Sequence, residues 1–171
     1  HPLCDDLVPI GDDRTCTQYP IEILFCSNCI TAHQRYPVNK ETLFPENYHY
    51  RARVTGSVLS GMRELAEGCL KRYGNLNGKL VLDIGCNDGS LLNFFHQEGA
   101  RTVGIEPTGA ADEANKVHTI IKRYFDAETA KSFATVFGHA DIITFTNVFA
   151  HIGDLPALIA NLKTIMGEET V

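Results

Sequence analysis

Nowhere in the 171 residues does an apolar run reach the roughly 20 residues that a membrane-spanning helix needs. No charged start followed by an apolar stretch marks a secretory leader. Basic residues are in short supply. Fifteen Lys and Arg stand against 21 Asp and Glu, a formal net charge of −6. Phosphate-tracking proteins need clustered Lys and Arg, so a general nucleic-acid binder is not expected. Internal repeats and low-complexity stretches are missing as well. What remains is an ordinary globular composition, 44% hydrophobic and 21% charged. The expectation is a cytoplasmic protein with no membrane partner, of one domain or one domain plus a small lobe.

Cysteine is present, but its distribution argues against a disulfide framework. Cys26 and Cys29 form a C-x-x-C pair, whereas Cys69 and Cys86 fall in an apparent helix and turn. In a reducing compartment this favours metal binding for some and packing for the rest. The first 44 residues hold four of the six cysteines and four of the seven prolines, with little helical periodicity. From Val58 the pattern turns helical. Leu59, Met62, Ala66, Cys69 and Tyr73 share one face, and Gly74 is placed to end the helix.

Beyond Gly74 the chain alternates. Strands are expected in KLVLDIG, RTVGIEP, VHTII and ADIITFTNVF. Helices are expected in SLLNFFHQEG, GAADEANK, Ala127 to Phe137 and DLPALIANLKTIMG, with Asp126 and Asp154 as N-caps and Pro156 in a first turn. Such alternation with short links predicts an α/β fold with a parallel sheet covered by helices on both faces. The closing EETV reads as the approach to a further strand, so the expected sheet is incomplete at the C-terminus and the chain reads as a fragment.

One turn carries the first chemical signal. A dinucleotide fingerprint reads G-x-G-x-x-G. Here the turn is Asp83-Ile84-Gly85-Cys86-Asn87-Asp88-Gly89, and Asn87 stands where the second glycine belongs. The glycine that lets a pyrophosphate approach is therefore lacking. Asp83 at the strand end suits a cationic group better than a dianion. Glu106 follows 21 residues after Gly85, where a carboxylate can accept both ribose hydroxyls. A carboxylate for an amino or sulfonium group and another for a ribose describe S-adenosylmethionine better than NAD. Cys86 reads as a small residue without an activating partner.

VLDIGCNDGSLL, VGIEP and ADIITFTNVFAHI together resemble the class I methyltransferase domain, Rossmann-like, of the sugar C-methyltransferases. Those enzymes methylate a carbon of a nucleotide-linked 4-keto-deoxysugar and carry an N-terminal zinc lobe. CSNC preceded by YPIEILF, and the connecting LFPENYHYRARVTGS, match that lobe and its link. The resemblance divides the chain into a zinc-binding lobe at 1–45, a connecting segment and helix at 46–74, and an incomplete S-adenosylmethionine-binding domain at 75–171. It implies a structural zinc held by Cys26, Cys29 and a second pair at the start of the chain. There His1 and Cys4 stand, His1 where the family has Cys. Cys16 and His33 are the alternatives for the fourth ligand. A redox role for the C-x-x-C would need a thioredoxin-like strand and helix around it, which FCSNCITAHQRYP does not offer.

The resemblance implies a cofactor set of Asp83, Gly85, Asn87, Asp88, Gly89, Glu106, Phe125 and Asn147, with Tyr124 beside Phe125 near the adenine or in the core. It places the histidine at His151 in the active site; the residues alone leave helix capping or solvent exposure open. It brings a tyrosine of the Tyr48-His49-Tyr50 cluster to the substrate or cofactor and does not say which; the residues alone leave open that both tyrosines pack the linker against the main domain. Arg51 and Arg53 are placed either on sugar-nucleotide phosphates or in solvent. The chemistry implied is loss of a proton beside a keto group and attack of the enolate on the methyl carbon. The family's Glu-His pair, proposed to supply the base, lies in a C-terminal half that these residues do not include. Other readings are a small-molecule O- or N-methyltransferase, a zinc-knuckle interaction module with a non-catalytic methyltransferase-like domain, and a nicotinamide-dependent oxidoreductase, against which Asn87 counts.

Overall fold

A computed structural model describes residues 10–12 and 18–171. The chain divides into two compact units, His1–Pro45 and Glu46–Val171.

In the first unit, strands β1 (Ile23–Cys26) and β2 (Thr31–Gln34) pair antiparallel, with Cys26 opposite Thr31. Ile30 in the connecting turn takes a left-handed φ of 55°. A single helical turn, α1 (Lys40–Leu43), starts where the Asn39 side chain accepts the Glu41 N–H. No described residue of this unit is buried, and Ile21, Ile23, Phe25 and Ile30 are all exposed.

The second unit opens on a short 3₁₀ turn, Ala52–Val54, and a long helix, α2 (Gly56–Tyr73). It continues as β3 (Leu80–Ile84), α3 (Ser90–Gln97), β4 (Arg101–Ile105), α4 (Ala111–Ala114), β5 (Thr119–Ile121), α5 (Ala127–Phe137), β6 (Ile142–Thr144) and α6 (Leu155–Ile165). The four strands form one parallel sheet in the order β5-β4-β3-β6. Every residue of β3 is buried, as a central parallel strand covered on both faces requires.

Side chains alternate across that strand. Val81 joins a core with Met62 and Ala66 of α2 and Leu91, Leu92 and Phe95 of α3. Leu80, Leu82 and Ile84 join another with Val103, Ile105, Phe133 of α5 and Ile165 of α6. The helix ends follow local chemistry. The Asp126 carboxylate accepts the Thr129 N–H at 2.8 Å, and Asp154 accepts that of Ala157 at 2.9 Å. Gly74 ends α2 at φ 74°.

Two expected elements are shorter than their patterns. The strand expected over ADIITFTNVF pairs with β3 only over Ile142–Thr144. The chain then bends at Asn147, whose φ is 57°, into a 3₁₀ turn at Phe149–His151. The helix expected in GAADEANK covers only Ala111–Ala114. The final residue, Val171, exchanges backbone hydrogen bonds with Asp141 and Ile143 along the outer edge of β6. No helix among the described residues is long and apolar enough to cross a membrane.

Candidate functional site

The connections from β3 to β4 to β5 run one way across the sheet, and β6 lies on the other side of β3. Open parallel sheets bind ligands at such a reversal, outside the carboxyl ends of the strands. The 85–89 turn lies there. Gly85 has φ +72° and Gly89 φ +78°. The Gly85 and Cys86 N–H groups both donate to the Ile105 carbonyl, at 2.7 and 3.2 Å. A methyl group on Gly85 would overlap the Val148 side chain, so the turns after β3 and β6 touch. One on Gly89 would come within 2.9 Å of the His118 ring. Both positions require glycine for backbone and for space.

Two carboxylates stand at neighbouring strand ends. Asp83, on β3, is 1% exposed and accepts a hydrogen bond from Thr144 Oγ1 at 2.8 Å. Burial pushes its carboxyl up to about 7; the Thr144 hydroxyl opposes that, and the Glu106 charge adds to it. Glu106, just beyond β4, is 5% exposed. Its Oε1 accepts both the N–H and the hydroxyl of Thr108, at 2.9 and 2.6 Å. Its Oε2 accepts the Asn87 N–H at 2.9 Å. A carboxylate oxygen has two acceptor positions, so one remains on Oε2.

Asn87 and Asp88 hold protein rather than open space. The Asn87 side chain accepts the Ala52 N–H at 2.9 Å and donates to the Tyr50 carbonyl at 3.1 Å. Asp88 Oδ1 accepts the N–H and hydroxyl of Ser90. Its Oδ2 accepts the Arg53 N–H at 3.1 Å. The segment preceding α2 is thereby laced to the turn. Arg51 and Arg53, open in the sequence between phosphate contacts and solvent, are ion-paired. Arg51 Nε meets Glu113 Oε1 at 2.7 Å, and its Nη1 donates to the carbonyls of Tyr48 and Tyr50. Arg53 meets Glu113 and Asp88. Hydrogen bonding, from Arg51 first, holds the Glu113 carboxyl below its ordinary range. At the other end of the segment, the Gly109 N–H donates to the Glu46 carbonyl, and Lys122 pairs with Glu46 and Asp112.

The other expected site residues are spread around this centre. Tyr48 and Tyr50 are half-buried in the laced segment, with ring centroids 6.5 Å apart. Phe125 packs against the core that contains Phe133, and the Tyr124 carbonyl accepts the Thr129 hydroxyl. Asn147 and His151 are exposed, beyond the end of β6. Cys86 is 2% exposed, with burial pushing its thiol well up, and a Cβ on Gly104 would overlap its sulfur. Sequence reasoning missed Thr108, Thr144 and Glu113. Thr108 lies two residues past Glu106 and offered a local signal; the others act across 61 or more residues. Two surface hollows, around His139–Asp141 and around Ala100–Val103, lie at the amino ends of the strands, away from the turn.

In the first unit, Cys26 ends β1 and Cys29 lies in the following turn. Hydrogen bonds from Cys29, backbone and side chain, lower the Cys26 thiol from its ordinary value. Among the described residues, no group of three or more His, Cys, Asp and Glu gathers around a common point. His33 lies in β2, its Nδ1 close to the Gln34 carbonyl. His1, Cys4 and Cys16 lie outside the described residues.

Residues 58–171 match the family model described as a methyltransferase domain. The chain is 31% identical over 173 residues to C-methyltransferase NovU of Streptomyces niveus, which covers 98% of this chain and 40% of that protein. It is 29% identical over 93 residues to the ubiquinone biosynthesis O-methyltransferase of Escherichia coli O127:H6, covering 52% of this chain and 39% of the other. The chain therefore spans well under half the length of these relatives. Among solved structures, the magnesium protoporphyrin IX methyltransferase of Synechocystis PCC 6803, with S-adenosylhomocysteine bound, superposes with a TM-score of 0.50. It is 23% identical, over 63% of this chain and 51% of the other. A putative S-adenosylmethionine-dependent methyltransferase of Methanococcus maripaludis reaches 0.54 at 13% identity, over 70% and 57%. These likenesses establish an α/β Rossmann-like methyltransferase fold, and the chain belongs to the methyltransferase domain family.

Proposed function

We propose that the second unit binds S-adenosylmethionine at the 85–89 turn and presents its methyl group for transfer to a small molecule. The observation that carries this is the pair of buried carboxylates, Asp83 and Glu106, on neighbouring strands at the carboxyl end of the sheet. Asp83 suits the ammonium group of the cofactor's amino-acid end, and the remaining acceptor position of Glu106 Oε2 suits a ribose hydroxyl. Gly85, half-buried and without a side chain, lets the turn close against Val148 beside the two carboxylates. Asn87 is committed to Tyr50 and Ala52 through its side chain. Its part in this reading is to aim its backbone N–H at Glu106. Bound there, the cofactor supplies a sulfonium-activated methyl electrophile. The chain's own residues orient it and keep water from the buried carboxylates.

For the acceptor, a carbon of a nucleotide-linked keto-deoxysugar is the reading supported by similarity, across nearly all of this chain and 40% of the relative, to a C-methyltransferase. A base removes the proton beside the keto group, and the enolate carbon takes the methyl in line. His151, Tyr48 and Tyr50 are the side chains of this chain offered for contact with the acceptor. A small-molecule oxygen acceptor is the second reading, supported by similarity to an O-methyltransferase over half the chain. In the first unit, Cys26 and Cys29 fit half of a tetrahedral structural zinc site: they are close enough to hydrogen-bond, and the Cys26 thiol is lowered. His1 and Cys4 complete the set in this reading, with Cys16 and His33 as alternatives.

Calorimetry with S-adenosylhomocysteine tests the cofactor assignment. Binding is expected for the chain, with none for NAD, and Glu106→Gln is expected to lose about tenfold in affinity, the scale of one charge-assisted hydrogen bond. Unchanged affinity in a folded Glu106→Gln protein would overturn the ribose assignment.

A further inference from the structure

Resting on the cofactor reading above, we infer that Glu113 is a positioning residue for cofactor binding, acting through Arg51 and Asn87 on the Glu106 carboxylate. The route is continuous. Glu113 Oε1 accepts from Arg51 Nε at 2.7 Å. Arg51 Nη1 donates to the carbonyls of Tyr48, at 2.7 Å, and Tyr50, at 2.9 Å. The Tyr50 carbonyl in turn accepts the Asn87 side-chain N–H at 3.1 Å, and Asn87 Oδ1 accepts the Ala52 N–H at 2.9 Å. Asn87 so held sits at φ 50°, and its own N–H donates to Glu106 Oε2 at 2.9 Å.

Each link has a physical reason. A left-handed backbone is costly for a residue with a Cβ, and asparagine tolerates it when its side chain finds local partners. Here the partners come from a segment 35 and 37 residues earlier in the chain. That segment carries three main-chain groups, on Tyr48, Tyr50 and Ala52, that need fixed positions. A planar guanidinium holds two carbonyls and a carboxylate in one fixed fork, with donors on separate nitrogens; an ammonium also has three donors but gathers them on a single rotating nitrogen. Glu113 supplies the counter-charge that fixes the guanidinium. The Arg51 side chain is 17% exposed and that of Glu113 34%, so water competes only in part. The bond from Asn87 occupies one position on Oε2 and so sets the direction of the one left for a ligand. Arg53, 53% exposed, pairs with both Glu113 and Asp88 and braces the same segment.

A double-mutant cycle read by S-adenosylhomocysteine calorimetry tests the relay. Glu113→Gln is expected to weaken binding about fivefold to tenfold in an otherwise folded chain. In a Glu106→Gln background the same change is expected to cost less than twofold, because the group being positioned no longer carries charge. Arg51→Lys, which keeps the charge and loses the fork, is expected to behave like Glu113→Gln. A thermal melt of each protein identifies any that fail to fold, and the cycle is then completed with the Arg51 variant in place of the Glu113 one. Equal losses in both backgrounds would show a general structural role and overturn the relay. Full affinity in a folded Glu113→Gln protein would overturn it too, while leaving the cofactor reading intact. If the unaltered chain does not bind S-adenosylhomocysteine, the cofactor reading and the relay fall together.

Discussion

The two units solve the same problem with different means. Unit 2 buries a continuous interior: Phe95, Phe133, Leu82, Leu91, Leu92 and Ile165 are each fully enclosed. Among the described residues of unit 1, none is buried, and its hairpin shows Ile23 and Phe25 to solvent. A two-stranded hairpin with no hydrophobic face covered is marginal in water. Segments this small usually need a disulfide or a metal to hold them. Unit 2 needs neither. Its order comes from a four-stranded sheet with cores on both faces. In the zinc reading proposed above the first unit is ordered through its cysteines, whereas the second is ordered by its aliphatic strands.

The largest break in this contrast is expected on removing metal. About one zinc per chain is expected by elemental analysis, following the four-ligand rule. A strong chelator, or Cys26→Ser combined with Cys29→Ser, is expected to unfold unit 1 entirely while unit 2 survives. Limited proteolysis would then cut before Pro45 and spare the remainder. A metal-free chain that resists cleavage there would refute the zinc reading. Next in size is the converse lesion. Phe133→Ala is expected to lower the stability of unit 2 by about 3–5 kcal/mol through the cavity it leaves, read by denaturant melts. Metal content should not change.

The third test reads the polar interior that unit 2 has and the described residues of unit 1 lack. His118 is 5% exposed, held between Thr102 Oγ1 and Asn93 Oδ1. Burial and the neighbouring His96 lower it to about 4. Its contribution is complete above about 6.5, the ordinary histidine value, and is lost as pH falls toward 4. Asp83 runs the other way. Its carboxyl is pushed up to about 7, so its contribution is complete below about 3.8 and is lost as pH rises to 7. Between about 4 and 6.5 the two slopes oppose and leave stability nearly flat. Asp83→Asn is expected to expose a rise with pH of about 1.4 kcal/mol per unit, and His118→Asn a fall of similar size. Melts across that window that show no slope in either variant would refute the pairing.

The architecture of unit 2 was largely legible in the sequence because its signals are local. Asp126 and Asp154 cap the helices they precede. Gly74 and Gly138 close α2 and α5. The VLDI run lies in β3, the most enclosed strand. The strand after Ala140 reads longer than it is, because its apolar pattern continues through the bend at Asn147. The turn between β3 and α3 was legible through Gly85, Asn87 and Glu106. What was not legible is that Asn87 and Asp88 reach back to Tyr50, Ala52 and Arg53. Hydrogen bonds between residues 35 and 37 positions apart leave no periodicity to read. The same holds for Arg51 with Glu113, 62 positions apart. In isolation each of those charges reads as a solvated surface residue.

The sulfur of Cys86 occupies the place where Gly104 has no side chain, and Ile120 closes the same gap from β5. The two positions work as peg and socket. Neither can be redesigned alone, since a larger residue at either finds its room already taken. The thiol is also sealed from alkylating and oxidising reagents for as long as the sheet stays closed. Its reactivity is thus a built-in gauge of whether the strand pair β3 and β4 has come apart.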